Sequence, residues 1–261
     1  MKKSFLNLVI IVATILSALT SCEKESNGKE KLLETIVIGS KFYTKFKYDD
    51  KNRILTMSTY NEENDLLVLE TFTYSGSDLV KTVSESFINP EDILTITWEF
   101  TKTENIISAI QVSNLFVLSS TVTLELNGDE LPVSSLTETS SGSFAETYQI
   151  KNGNLVKVSR IEKFGEEISE KITEYKYGKN KSPYYSCQTP KWYLFWQAGM
   201  GSKNNVTEIQ TSDNSSVKYE YVFDSDGYPK RYKEKSSVVG FTTTTTFELK
   251  YKDLLSDSVS D

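Results

Sequence analysis

The residues with the clearest potential for binding chemistry are six aromatic side chains within thirteen positions: Tyr184, Tyr185, Trp192, Tyr193, Phe195 and Trp196. Sugars present C–H faces that stack on flat rings, and protein partners favour Trp and Tyr at the centre of an interface. The alternative is that these side chains fill the interior or cover an edge of the fold, because apolar residues outside strands must also bury their surface. The candidate ligand-binding residues are therefore Tyr184, Tyr185, Trp192, Tyr193 and Trp196.

Catalytic chemistry has little support in the sequence. The chain has no histidine, which removes the commonest general base and the commonest metal ligand. Cys187, without a histidine, is more typical of a packed residue than of a nucleophile. Asp224-Ser225-Asp226-Gly227 has the opening of a calcium loop but lacks the later ligands, so it indicates a hairpin turn. We predict no enzymatic activity, no cofactor and no metal site.

The N-terminus has the layout of an export signal. Lys2 and Lys3 precede an apolar run from Phe5 to Leu19, which is shorter than the roughly 20 residues that a transmembrane helix needs. We therefore predict a signal peptide over residues 1–21. The ending Leu19-Thr20-Ser21-Cys22 resembles the lipobox of bacterial lipoproteins, which implies cleavage before Cys22 and lipid attachment to it. Three acyl chains would hold the protein far more firmly than one.

The composition limits the kinds of binding partner, and the sequence divides into four segments. Removing residues 1–21 changes the net charge from −7 to −9, and an acidic chain without basic clusters argues against nucleic acid and against docking on anionic lipid. Residues 22–34 read as the lipidated cysteine and a flexible tether, 35–252 as one domain, and 253–261 as an acidic tail. Glu23 follows the cysteine where a retention signal would have aspartate, so we expect an outer-membrane location, facing either the periplasm or the cell surface.

A repeated hairpin must position these residues. Short turns rich in Asp, Asn, Gly and Ser recur eight times, at steps of 23 to 27 residues. The last residue before each turn is called the pre-turn residue: Tyr48, Tyr74, Phe100, Leu126, Ile150, Tyr177, Met200 and Phe223.

Alternating side chains flank every predicted turn. Two positions before the pre-turn residue the column is apolar (Phe46, Phe72, Trp98, Leu124, Tyr148, Tyr175, Ala198, Tyr221), whereas the column next to it is polar. A period of two is typical of a half-buried strand. Six positions after the pre-turn residue an aliphatic residue or proline predicts a return to the apolar layer at a constant place: Ile54, Val80, Ile106, Pro132, Val156, Pro183, Val206 and Pro229.

The repeat resembles known families. Tyr219 to Pro229 is similar to the YD repeats of the RHS group. Tyr175 to Tyr185, Asn204 to Thr207 and Tyr219 to Pro229 more closely resemble Bacteroidetes lipoproteins of unknown function with a porin-like fold. The resemblance implies an architecture and brings no catalytic residue.

The fold predicted is all-β: an up-and-down antiparallel meander of about eight hairpin repeats, strongly curled or closed into a barrel-like sheet, because twist accumulates and open edges invite aggregation. The favoured function is a non-enzymatic envelope lipoprotein that binds a glycan or a protein. The alternative is a structural or interaction scaffold with no small ligand. An integral outer-membrane barrel is a remote alternative, since Thr44, Glu70, Glu146 and Thr173 would occupy the column facing lipid.

Overall fold

The structure, a computed structural model, describes residues 29–39, 41–87, 93–114, 119–196, 200–238 and 240–254. The predicted signal peptide, Cys22 and most of the predicted acidic tail lie outside the described residues. The described elements are β1 Lys31–Ile38, β2 Phe42–Tyr48, β3 Ile54–Asn61, β4 Leu66–Ser75, β5 Asp78–Ser86, β6 Leu94–Thr103, β7 Ile106–Ser113, β8 Ser120–Leu126, β9 Pro132–Glu138, β10 Ser143–Lys151, β11 Asn154–Phe164, β12 Glu167–Lys181, α1 Lys191–Trp196, β13 Asn204–Thr211, β14 Ser216–Phe223, β15 Pro229–Val238 and β16 Phe241–Asp253.

The strands form a closed barrel in which every strand pairs with its neighbours in sequence and β1 closes the ring against β16. All pairings are antiparallel, and closure aligns Leu33 with Tyr251 and Ile36 with Leu249. Closure removes the free edges that a sheet of this width would expose. The prediction of an all-β, up-and-down meander closed into a barrel is confirmed.

Six of the eight predicted turns reverse the chain between consecutive strands, and all six lie at one end of the barrel. The turn at Asp49 is typical of the longer ones. The Asp49 carboxylate accepts hydrogen bonds from the amides of Lys51 and Arg53, at 3.0 and 2.8 Å, and Asn52 has a positive φ of 62°. These residue types predict turns because they tolerate positive φ or bond their own backbone.

The other two predicted turns, 178–182 and 201–205, are wrong. The strand β12 continues through Gly178 to Lys181, and β13 begins at Asn204. Between them, the described residues 182–196 and 200–203 form the plug, which enters the barrel and includes α1. The end of the barrel that it closes is called the plugged end. Met200 is therefore not the end of a strand.

The constant place of return is also wrong in part. Ile54 pairs with Tyr48, six residues apart, but Leu79 pairs with Tyr74, so Val80 becomes the extra residue of a β-bulge. The reason is the turn length. A two-residue turn such as that of Gly76 returns the chain one residue earlier than the five-residue turn at Asp49 does.

The apolar column faces the lumen. Phe46, Phe72 and Leu124 are buried, and their polar neighbours point outward. Glu70 and Glu146 share this inward face, since each stands two residues from a buried aromatic in the same strand. The column that would face lipid in an integral barrel thus faces the interior.

Tyrosine hydroxyls supply hydrogen-bond donors where β-bulges interrupt the pairing of the strands. Each tyrosine hydroxyl donates a hydrogen bond to a backbone carbonyl oxygen of the strand that precedes its own in the sequence. The pairs are Tyr48 with Leu33 (2.7 Å), Tyr74 with Ile54 (2.9 Å), Tyr177 with Leu155 (2.6 Å) and Tyr251 with Pro229 (3.0 Å).

The first and last described residues, Lys29 and Leu254, lie at the plugged end. β1 begins at Lys31, four residues before the predicted domain boundary, and Asp253, the first residue of the predicted tail, still pairs with it. The Lys31 ammonium bridges the carboxylates of Asp224 and Asp226, at 2.8 and 2.6 Å, in a turn closed by a Tyr228 carbonyl. The hairpin interpretation of Asp224 to Gly227 is confirmed. Within the described part of the chain, no helix combines the length and hydropathy of a membrane span.

Candidate functional site

The plug is fixed to the wall by hydrogen bonds at the strand starts. The amide of Ile54 donates to the Thr189 hydroxyl at 2.9 Å, and the amide of Leu155 donates to the Ser202 hydroxyl at 3.2 Å. A bulge follows each of these two strand residues, so the plug supplies acceptors that the sheet does not. The plug therefore completes hydrogen bonds of the strands as well as filling the core.

Aromatic edges hold α1 in the lumen. Trp192 packs edge-on against Phe100 at 5.3 Å between ring centroids, and Tyr193 packs against Phe72 at 5.6 Å. Trp192 and Tyr193 are each 3% exposed, which leaves no ring face for a ligand to stack on. These two candidate residues lie in the core of the barrel.

The other candidate residues lie in three separate places. Trp196 packs against Trp98 at 5.2 Å and lines one cavity, whereas Tyr184 packs against Phe46 at 5.9 Å and lines another. Tyr185 lies near the plugged end, with the Lys181 ammonium 5.2 Å from its ring. The five predicted binding residues thus do not form one surface. They divide between the core, two lumen cavities and the plugged end.

The first cavity, called the charged chamber, has a volume of about 270 Å3 and lies between α1 and strands β10 to β12. Its lining combines ring systems with charged groups, among them Trp196, Tyr175, Tyr148, Arg160, Glu162 and Lys171. The chamber runs from the plug towards the far end, since Glu162 stands two residues from the end of β11.

Arg160 is the centre of charge in this chamber. Its guanidinium lies 3.0 Å from a Glu162 carboxylate oxygen and 3.8 Å from one of Glu146, and it covers the Phe144 ring at 4.4 Å. Its cross-strand neighbour is Lys171. Two acids, Glu146 and Glu162, and two bases, Arg160 and Lys171, thus lie together on β10 to β12, so the chamber offers both donors and acceptors without a single dominant charge.

A hydrogen-bonded chain stiffens the chamber wall. The Tyr148 hydroxyl donates to the Glu146 carboxylate at 2.6 Å and lies 2.9 Å from the Ser135 hydroxyl. Burial raises the pKa of Tyr148, and the neighbouring Glu146 carboxylate raises it further. The phenol therefore stays protonated and donates to Glu146 throughout the neutral range.

The second cavity, called the apolar chamber, has a volume of about 250 Å3 and lies between the plug, β1 to β4 and β15 to β16. Its one carboxyl among the described residues is Glu70, which accepts a hydrogen bond of 2.8 Å from the Tyr193 hydroxyl. Burial raises the pKa of Glu70, while the hydrogen bond from Tyr193 acts in the opposite direction.

Sequence reasoning missed the charged residues of both chambers. A signal was present, because Glu70 and Glu146 stand two positions before Phe72 and Tyr148 and therefore on the same face of their strands. A charge in an inward column marks a lumen that is not filled by apolar packing. Which charged residues lie beside the plug depends on contacts between residues far apart in sequence and could not be inferred from spacing alone.

Nucleophilic and metal chemistry find no further support. The Cys187 thiol is 1% exposed, and burial raises its pKa, which disfavours the reactive thiolate. In the described ranges no three histidine, cysteine or acidic residues are grouped as metal ligands.

No protein-family model and no curated protein matches the chain. Solved structures that are similar to it include two porin-like proteins. A porin-like protein from Bacteroides uniformis ATCC 8492 is 10% identical with a TM-score of 0.36, over 88% of this chain and 98% of that one. A porin-like protein from Bacteroides vulgatus ATCC 8482 is 11% identical with a TM-score of 0.43, over 86% and 100% of the two chains.

Proposed function

We propose that this protein is a non-enzymatic envelope lipoprotein that binds a glycan in the charged chamber. The observation that carries the proposal is the placement of Trp196 and Tyr175 beside Arg160, Glu162 and Lys171 in one cavity. Rings provide stacking for sugar C–H faces, and charged groups provide strong hydrogen bonds to hydroxyls.

The position of Lys29, the first described residue, supports a lipid anchor at Cys22. Lys29 lies at the plugged end, where its amide donates to Asp226 at 3.2 Å. Six residues separate it from Cys22, so the tether reaches at most about 25 Å. A lipid on Cys22 would keep the plugged end near the membrane and direct the far end, towards which the charged chamber extends, away from it.

The outer wall supports anchoring rather than insertion of the barrel itself. Charged residues point outward from several strands, and some form ion pairs between neighbouring strands. Lys81 on β5 lies 3.6 Å from Glu99 on β6, and Lys176 on β12 lies 2.8 Å from Glu208 on β13. A basic residue facing lipid at the middle of a bilayer costs about 2–4 kcal/mol. An integral barrel would have to meet this cost many times.

Absence of catalysis is part of the proposal. The sequence has no histidine, and its one cysteine apart from Cys22 is the buried Cys187. Glu146 and Glu162 could in principle form a carboxylate pair for glycoside hydrolysis. Both are paired with Arg160, which favours their use as fixed hydrogen-bond acceptors.

A second candidate function is an interaction scaffold with no small ligand. It is favoured by apolar side chains that point outward on β7, β9 and β11. Ile110 and Val112 are 52% and 55% exposed, and Leu136 and Ile161 are 41% and 48% exposed. Apolar surface that is solvated in the monomer is typical of a contact with another protein.

The deciding experiment is a glycan array probed with the purified protein and with Trp196→Ala and Arg160→Gln variants. We expect a defined set of glycans to bind the parent protein, and both substitutions to weaken that binding at least tenfold. A blank array, together with one stoichiometric partner recovered after cross-linking, would favour the scaffold. Protease shaving of intact cells would then distinguish the cell surface from the periplasm.

A further inference from the structure

The apolar chamber differs in chemistry from the charged chamber on the other side of the plug. Rings and aliphatic side chains dominate its lining, including Phe46, Val68, Tyr184, Tyr232 and Phe247. No lysine or arginine lines it among the described residues, and its one carboxyl is Glu70. Concave apolar sites with one or two placed polar groups are typical of small-molecule binding.

Glu70 is held so that it still has capacity to accept a hydrogen bond. The Tyr193 hydroxyl donates to Oε1, and no second donor contacts the carboxyl from the described part of the chain. Tyr193 is itself fixed by its edge contact with Phe72 at 5.6 Å. The carboxyl therefore has a defined orientation and one oxygen, Oε2, that receives no donor from the described residues.

The surrounding rings favour a cation. Tyr232 and Phe247 stack with centroids 4.5 Å apart, and Phe46 meets Tyr184 edge-on at 5.9 Å. Ring faces attract ammonium groups, and the attraction is worth about 2 kcal/mol or more when the cation is desolvated. A carboxylate beside such rings completes the pairing that a buried ammonium needs.

We propose that the apolar chamber binds a small primary amine with an apolar or aromatic body, whose ammonium group pairs with Glu70. An acid would find no cation in the lining. A sugar would leave most of its hydroxyls unpaired, because among the described lining residues Thr44, Thr59 and Glu70 alone add polar groups to the two phenols. The site shares no lining residue with the charged chamber, so it stands independently of the glycan proposal.

The test compares three probes of nearly equal size: 2-phenylethylamine, 2-phenylethanol and 3-phenylpropionate. Isothermal titration of the purified protein near pH 7 should show the amine binding at least tenfold more tightly than the alcohol or the acid. Equal binding of amine and alcohol would overturn the proposal, because it would reduce the site to an apolar cavity. Failure of the amine to bind would overturn it as well.

Three variants test whether Glu70 causes the preference for the amine over the alcohol. Glu70→Gln should weaken amine binding at least tenfold and leave alcohol binding unchanged, while Glu146→Gln, in the other chamber, should change neither. Val68→Phe should block the amine with Glu70 intact, so the test does not depend on one variant folding. Unchanged amine affinity in Glu70→Gln, in protein with the parent's circular dichroism, would refute the assignment.

Discussion

The Tyr177 hydroxyl donates a 2.6 Å hydrogen bond to the carbonyl oxygen of Leu155, and lies 2.9 Å from the Ser202 hydroxyl of the plug. Leu155 stands beside a bulge between β10 and β11, so the tyrosine supplies a donor where the ladder is disturbed. The Tyr177 hydroxyl is also within hydrogen-bond distance of Ser202 in the plug. One side chain thus joins wall, bulge and plug.

Removing this hydroxyl should cost stability without changing the fold. Tyr177→Phe leaves a buried carbonyl with one partner fewer, and we expect the free energy of unfolding to fall by about 1–2 kcal/mol. Tyr43→Phe is the control, because its hydrogen bond to Asn64 is exposed and should be worth little. Urea titration followed by tyrosine and tryptophan fluorescence measures both. Equal losses in the two variants would contradict the role given to Tyr177.

The barrel was predictable because its signals are local. Turn residues such as Asp49 and Asn152 bond or bend their own backbone, and strand alternation shows in neighbouring positions. The point at which the chain leaves the sheet for the plug was not predictable, because Gly178 looked like a turn. In the structure it lies within β12, where a Cβ would come within 2.8 Å of the Asn205 side chain. This glycine serves a close approach, which sequence alone cannot distinguish from a bend.

The candidate site was predicted only in part, for the same reason. The aromatic cluster identified the plug segment, and two of its members, Tyr184 and Trp196, line cavities. Arg160, Glu146 and Glu70 were missed because their meeting with the plug depends on contacts over long sequence distances. Glu70 and Tyr193, for example, are 123 residues apart.

The two tryptophans of α1 should separate folding from binding. Trp192 is 3% exposed, so Trp192→Ala should lower the free energy of unfolding by about 3–5 kcal/mol. Trp196 is only partly buried and lines the charged chamber, so its alanine variant should lose less stability and more ligand affinity. Thermal unfolding and glycan binding, measured on both, check the difference. A larger stability loss for Trp196→Ala would reverse the assignment.

The plug has little room for a larger side chain at Gly201. A Cβ there would lie 2.7 Å from the Phe195 ring, whereas one at Gly128 would meet nothing within 4 Å. Gly201→Ala should therefore destabilise the protein by about 1–3 kcal/mol through overpacking, and Gly128→Ala should be close to neutral. Chemical denaturation compares the pair. If Gly201→Ala were also neutral, the plug would be more loosely held than its contacts indicate.

Glu70 should give stability a measurable pH dependence. Because burial raises its pKa above the usual 4.5, the folded state holds the proton more tightly than the unfolded chain does. Its contribution is fully present below 4.5 and is lost as pH rises through the folded-state pKa, at no more than about 1.4 kcal/mol per pH unit. Glu70→Gln should remove this slope. An unchanged profile in the variant would assign the slope to other groups.

The proposed lipid anchor depends on one cysteine. Cys22→Ser should move the protein from the membrane fraction to the soluble fraction of lysed cells, because acylation there would be lost. Cys187→Ser provides the control, since that thiol is buried in the barrel. Immunoblotting of the two fractions measures the shift. Membrane retention of Cys22→Ser would refute lipid attachment at this residue.

Closure of the barrel between β1 and β16 has a consequence for folding. Lys31 finds its partner Asp253 only after the whole chain between them has been made. The final step therefore joins residues far apart in sequence, and such contacts form slowly. Until then both edge strands stay open to pairing with another molecule, so the nascent protein depends on being kept apart from its neighbours until the last strand arrives.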